Sequence, residues 1–196
     1  VTACGNDGGA CGPRAGQVTN QLNIFTLYGA TATANTGRAC WSGMCSNPET
    51  AINGVGTSSP GWTGNGCSGV PSASNPWVLT ISLSGTTART MVAFNMKIDA
   101  DMSYTISSRP AQDGSFTDVF SHTCEICRVN QIGDVPVGGG RWVIHPFDSP
   151  VHVLQMRLSI TFSSNAGLGS CGSNNCCIFG APVREFQGLL PSSQPS

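Results

Sequence analysis

Residues 78–84, Val-Leu-Thr-Ile-Ser-Leu-Ser, alternate apolar and polar side chains, and this stretch decides the fold class. Successive side chains of an extended strand point to opposite faces. Leu79, Ile81 and Leu83 would therefore share one face, and the hydroxyl-bearing residues between them would share the other. The stretch predicts a β-strand that is buried on one side only.

The same alternation recurs along the chain. It is strong over 154–162 and weaker over 22–28, 90–98, 103–107, 116–121, 141–147 and 178–187. Gly, Pro, Ser and Asn separate these segments, and helical periodicity is nearly absent. The pattern predicts an all-β fold, an antiparallel β-sandwich or jelly roll. In such folds the loops at one end of the sandwich commonly carry the function.

The composition predicts a secreted, extracellular or cell-surface protein that is rich in disulfides. The chain has 196 residues and 10 cysteines, an even number that favours oxidation into bridges. We expect all of them to be paired: Cys4, Cys11, Cys40, Cys45, Cys67, Cys124, Cys127, Cys171, Cys176 and Cys177. The formal net charge of −1 argues against a nucleic-acid partner. No apolar run approaches the roughly 20 residues of a transmembrane segment.

The chain divides into three parts. Residues 1–20 are Gly-rich and contain two cysteines, so we expect an irregular extension packed on the domain. The strand-forming region 21–188 is the domain itself. Residues 189–196 are rich in Pro and Ser and form either the start of a linker or a frayed terminus.

Two cysteine motifs allow more than one interpretation. A pair spaced as in Cys124-Glu125-Ile126-Cys127 can be a redox motif or half of a zinc site, but the first needs a βαβ context and the second a matching ligand pair. Neither is present, so we expect a local disulfide. The adjacent Cys176 and Cys177 either bridge each other or pair separately, with partners such as Cys171 and Cys67, and separate pairing is sterically easier.

No set of residues indicates catalysis. The ten acidic residues are spread through turns, and the three histidines have no evident partner. We expect His145 and His152 to flank a surface turn at 146–150. A non-enzymatic module is therefore the better interpretation.

The order of several motifs resembles the discoidin family, which includes coagulation-factor C domains and the galactose-binding-like modules of lectins and glycosidases. The early motifs lie at 30–34, 47–54, 61–62 and 75–83, and the later ones at 104–108, 113–116, 155–158 and 183–188. Phe116 stands where the family has Trp. The resemblance implies a discoidin-like jelly roll over roughly residues 25–188, with Trp62 and Trp77 in its core.

The resemblance also implies a ligand-binding loop. In coagulation-factor-like members the loop after the first strand displays apolar residues, and residues 35–48 occupy that position. A bridge between the cysteines of 40–45, Cys-Trp-Ser-Gly-Met-Cys, would rigidify the loop before binding. The implied ligand-binding residues are Arg38, Trp41, Ser42 and Met44, which suit a sugar through stacking and hydrogen bonds. Alternatively, Trp41 folds back onto the sandwich and the bridge only staples the loop.

Calcium-binding relatives imply a metal site. The equivalent ligands here would be Thr50, Asn53, Val55, Ser58, Arg184 and Glu185. Asn53 replaces the usual Asp and removes one negative charge, so the affinity for a structural calcium ion should fall. Alternatively, Asn53-Gly54 only makes a left-handed turn.

Taken together, the sequence predicts an extracellular recognition or adhesion module. The expected ligand is a carbohydrate, as a free glycan or on a glycoprotein, held by the loop around 38–46 with help from 63–70 or 128–140. The alternative is a structural subunit of an extracellular matrix or filament that self-associates through subunit contacts.

Overall fold

Two large antiparallel β-sheets and a two-stranded hairpin make up most of the described part of the protein. In this computed structural model the described residues are 22–36, 40–41, 44–45, 47–54, 62, 70–98, 102–124, 141–163 and 183–191, and residues 40, 41, 44, 45 and 141 are described by their backbone only. The predicted extension 1–20 and most of the predicted tail lie outside these residues. Within the described part of the chain, no helix combines the length and the apolar character needed to cross a bilayer.

The described residues form ten strands. They are β1 (Thr31–Ala34), β2 (Cys40–Trp41), β3 (Met44–Cys45), β4 (Trp77–Ser82), β5 (Arg89–Ile98), β6 (Met102–Arg109), β7 (Thr117–His122), β8 (Arg141–Val153), β9 (Gln155–Ser163) and β10 (Val183–Leu189). A five-stranded sheet has the order β1-β4-β9-β6-β7, and a three-stranded sheet has the order β10-β5-β8. Strands β2 and β3 form a separate hairpin.

The core lies between the two sheets. Leu79, Ile81 and Leu83 are buried, as the alternation predicted, and Leu79 lies opposite Leu158 of β9 in the strand register. Trp62 and Trp77 are 1% and 2% exposed, which confirms the core positions implied by the resemblance. Each large apolar side chain buried in this way stabilises the fold by about 1.5–3 kcal/mol.

One side of the sandwich is closed by short helices. α1 (Ile24–Leu27) contacts β10, and a 3-10 helix at Pro48–Ala51 contacts both β1 and β10. The weak strand prediction for 22–28 was therefore wrong. The Asn23 side chain accepts a hydrogen bond from the Phe25 backbone N–H and caps the helix. Ile24 and Phe25 are both buried, which a strand with one buried face does not allow for consecutive residues.

The expected turn at 146–150 falls inside β8 (Arg141–Val153), where the pairing with β5 shifts register. Ala93 lies opposite Pro146 and Met91 opposite Val151, so residues 147–150 have no partners on β5 in this register. β8 is the outermost strand of its sheet, where a missing backbone N–H costs no ladder hydrogen bond. His152 is exposed as expected, but His145 is half-buried. Its ring lies beside Phe94 and Phe120.

The two ends of the sandwich differ in their connections. At one end the links between strands are short, at 83–88, 110–116 and 154. At the other end β1, β5, β7 and β9 finish and β4, β6, β8 and β10 begin. We call this second end the loop end.

Candidate functional site at the loop end

The β2–β3 hairpin comes after β1 in the chain, and β1 finishes at the loop end. Its backbone register pairs Cys40 with Cys45 and Trp41 with Met44. Directly opposite residues of an antiparallel pair have Cα atoms about 4.5–5.5 Å apart, within the range that a disulfide spans. A bridge between the two cysteines therefore fits the backbone and remains a prediction. Arg38 and Ser42 lie outside the described residues.

Asn35 ties the base of this hairpin to the sandwich. Its side-chain Nδ2 donates to the Pro76 carbonyl at 2.9 Å, and its Oδ1 accepts from the Val78 N–H at 2.7 Å. Its backbone N–H also donates to the Val78 carbonyl. The chain therefore leaves β1 toward the hairpin from a fixed point beside the start of β4.

The residues implied for a metal site are partly brought together. Asn47 caps the 3-10 helix that contains Thr50, and the chain then bends through Asn53 to Gly54, whose φ is +78°. The Gly54 N–H donates to the carboxylate Oε1 of Glu185 at 2.9 Å, although the two residues are 131 positions apart. The positive φ of Gly54 agrees with the predicted left-handed turn.

Glu185 supplies the negative charge of this loop. Its side chain is 0% exposed, and in the β10–β5 register it lies opposite Lys97. Arg184 beside it is half-buried, and Asn53 is exposed. Val55 and Ser58 lie outside the described residues. The described part of the site thus offers one carboxylate and neutral oxygens, a donor set of the kind that Ca²⁺ prefers. Among the described residues of the chain, no group of three or more His, Cys, Asp or Glu occurs.

Cys124 is disulfide-bonded, and its backbone N–H donates to the Ser103 hydroxyl at 3.0 Å. Its predicted partner Cys127 lies outside the described residues. So do Cys4, Cys11, Cys67, Cys171, Cys176 and Cys177. The disulfide-rich character of the chain therefore stays a prediction, as does the pairing of each cysteine.

Phe116 has a structural role on the outer face of the five-stranded sheet. The guanidinium of Arg157 lies 3.9 Å from the Phe116 ring centroid, and that of Arg109 lies 4.8 Å from it. Arg109 also donates to the Gln155 Oε1 at 2.7 Å. The Phe116 ring therefore makes cation–π contacts with two arginines of neighbouring strands. Phe makes these contacts at the position where the discoidin pattern has Trp.

A histidine–aromatic cluster is the feature that sequence reasoning missed. It lies where β7 and β8, the outermost strands of the two sheets, face each other, which we call the β7–β8 edge. Its members are Phe94, Tyr104, Phe120, His122, His145 and Phe147. Burial, and to a lesser extent the charge of His122, lower the pKa of His145 to about 4.

Comparison with solved structures identifies the fold. No family model matches the sequence, and no curated protein sequence is significantly similar to it. Chitosan-binding module 1 of a chitosanase/glucanase from Paenibacillus sp. IK-5 is similar, with a TM-score of 0.55 and 18% identity over 86% of this chain and 98% of that one. Module 2 of the same enzyme, in complex with chitotriose, has a TM-score of 0.53 and 16% identity over 81% of this chain and 95% of that one.

A third similar structure is a family 32 carbohydrate-binding module from C. perfringens NanJ in complex with galactose. Its TM-score is 0.53 and its identity 17%, over 86% of this chain and 98% of that one. The match therefore spans nearly the whole module in each case. The chain has the galactose-binding-like jelly-roll fold of the discoidin family, as the order of its sequence motifs implied.

Proposed function

We propose that this protein is an extracellular carbohydrate-binding module that holds a glycan at its loop end. The main support is the β2–β3 hairpin, which comes after β1 in the chain and pairs Trp41 with Met44 in its register. The similar structures bear on the ligand class, because two of them contain chitotriose and galactose. A non-catalytic role fits this class of module.

The chemistry of the hairpin suits a sugar. A cross-strand pair occupies one face of a hairpin, so Trp41 and Met44 would offer a flat aromatic surface beside an adaptable apolar one. The apolar face of a pyranose stacks on such a surface. Arg38 and Ser42 would add hydrogen bonds to the hydroxyl groups.

Preorganisation supports the same hairpin. A Cys40–Cys45 bridge would limit its conformations before the ligand arrives, and the ordering cost of binding would fall. Asn35 restrains the chain at the base of the hairpin through the two side-chain hydrogen bonds described above. A single site of this kind is expected to be weak, since small hydrated ligands bury little surface.

The test is binding of chitotriose and galactose by calorimetry, followed by a wider glycan array. Trp41→Ala should abolish detectable binding, whereas Trp142→Ala should not. Trp142 is the matched control, because it is 37% exposed and lies opposite Lys97 in the three-stranded sheet. Glycan binding that survives Trp41→Ala would show that the hairpin is not the site. Absence of binding to every glycan would refute the proposed function.

We further propose that the loop at 50–58 and β10 hold a structural calcium ion. Glu185 would provide the carboxylate, and Asn53, Ser58 and backbone carbonyls of Thr50, Val55 and Arg184 would provide neutral oxygens. Added Ca²⁺ should raise the melting temperature of the native protein. Asn53→Asp should strengthen this effect by restoring one charge, and Glu185→Gln should remove it. An identical response of all three proteins to Ca²⁺ would contradict the assignment.

Self-association is the second candidate function. β7 and β8 are the outermost of the described strands in their sheets, and an outer strand can pair with another chain. The low net charge also permits close approach of copies. Size-exclusion chromatography over a concentration series separates the two candidates. A monomer that binds glycans supports recognition, and oligomers that ignore glycans support a matrix or filament subunit.

A further inference from the structure

Two of the three histidines of the chain meet at the β7–β8 edge. His122 is the last residue of β7, in the five-stranded sheet, and His145 lies within β8, in the three-stranded sheet. They are 23 positions apart in sequence and belong to different sheets. Their ring centroids are nevertheless only 6.3 Å apart.

This separation fits two imidazoles that bind the same metal ion. A zinc–nitrogen bond of about 2.0–2.1 Å places the ion roughly 3.2 Å from each ring centroid. Two ligating rings are then about 5.2 Å apart at a tetrahedral angle and about 6.4 Å apart at a linear one. The observed distance lies within this range. It lies near the linear end of the range, so the two rings must approach each other by about 1 Å for tetrahedral coordination.

The surroundings prepare His145 as a ligand. Its ring lies 4.5 Å from the Phe120 centroid and 5.0 Å from the Phe94 centroid, so its orientation is restrained on two sides. His122 is the partner that an ion from solvent can reach first.

We propose that His122 and His145 together bind one divalent transition-metal ion, such as Zn²⁺, across the β7–β8 edge. No group of three or more His, Cys, Asp or Glu lies in the described ranges. The proposed protein ligands are therefore these two imidazoles, and water would complete the coordination. The site differs chemically from the loop around Glu185, because nitrogen ligands suit Zn²⁺, Cu²⁺ and Ni²⁺ whereas Ca²⁺ takes oxygen ligands. A bound ion would fasten the edge strands of the two sheets to each other.

The experiment is titration of the full chain with ZnCl₂ by calorimetry and by thermal unfolding, at pH 7.5 and with excess Ca²⁺ to occupy any oxygen site. Native protein should bind one Zn²⁺ and melt at a higher temperature. His122→Gln and His145→Phe should each weaken binding at least tenfold. His145→Phe suits its aromatic surroundings and should remain folded. His152→Gln is the matched control, because this exposed histidine lies elsewhere on β8, near Thr90.

Each result decides the proposal. Loss of binding in the first two variants with retention in His152→Gln supports it. Equal binding by all four proteins would place the ion elsewhere and overturn it, as would absence of binding to the native protein at millimolar Zn²⁺. Glycan binding is measured separately, so neither result affects the function proposed for the hairpin.

Discussion

Gly54 occupies a position where a side chain would be opposed by two separate effects. Its φ of +78° lies in the left-handed region, and an added Cβ would lie 2.8 Å from Cγ2 of Thr26. Its N–H also donates to the buried carboxylate of Glu185. We therefore expect Gly54→Ala to destabilise the protein and to disturb the loop that we propose for calcium.

The magnitude follows from three contributions. The left-handed backbone costs about 1–2 kcal/mol for a residue with a Cβ, and the stiffer unfolded chain offsets about 0.4–1 kcal/mol. The contact requires the Thr26 side chain to move. That movement endangers its hydrogen bond to the Asn23 carbonyl at 3.1 Å, worth about 0.5–1.5 kcal/mol. The sum is a loss of about 0.5–3 kcal/mol in the free energy of unfolding.

Urea denaturation of the native protein and four variants separates the contributions. Gly85 has a φ of +87° and nothing within 4 Å of an added Cβ, so Gly85→Ala measures the backbone cost alone. Thr26→Ser removes Cγ2 but keeps the hydroxyl that bonds Asn23. In that background the cost of Gly54→Ala should fall to that of Gly85→Ala. If Gly54→Ala costs no more than Gly85→Ala, or Thr26→Ser gives no relief, the reasoning is wrong.

Three further predictions concern other parts of the fold. The folded-state pKa of His145 is about 4 against 6.5 for the free side chain, so the unfolded chain takes up the proton first as the pH falls. The free energy of unfolding should drop by about 1–2 kcal/mol from pH 6.5 to 4 after allowance for solvent screening, and His145→Phe should show a smaller drop in the same denaturation series. Gly188→Ala should cost about 1–3 kcal/mol by overpacking, because the added Cβ would lie 2.7 Å from the Met91 sulfur; a loss below about 0.5 kcal/mol in chemical denaturation would contradict the packing described. Asn35→Ala should cost about 1 kcal/mol through loss of two partly solvated hydrogen bonds, and Asn35→Asp should cost at least as much, because a carboxylate oxygen would face the Pro76 carbonyl; unchanged stability of both variants would argue against this assignment.

The strands were predictable where burial alternates strictly. Over 77–82 and 155–160 every second side chain enters the core, so local pattern and final structure agree. Prediction was wrong at 22–28, where consecutive buried residues follow the helix cap at Asn23. At 146–150 strand β8 continues on both sides of the predicted turn, and its register with β5 shifts at that point.

The candidate sites divide in the same way. The hairpin residues and the Asn53-Gly54 turn are close in sequence, so a local motif is enough to suggest them. The contact between Gly54 and Glu185 joins residues 131 positions apart, and among the sequence features only the family resemblance links them. No sequence pattern joins His122 to His145, because the two strands that carry them belong to different sheets and their proximity depends on how the sheets stack.

The amino-acid sequence by itself determined which segments form strands, which faces of those strands are buried and which residues cluster in the β2–β3 hairpin. These properties depend on side-chain periodicity and on turns of a few residues, so they are local. The tertiary structure alone decided which strands lie at the sheet edges, what surrounds Glu185 and that two histidines meet at the β7–β8 edge. These depend on strand order and on the stacking of two sheets, which are set by the packing of the whole core and by no short stretch of the chain.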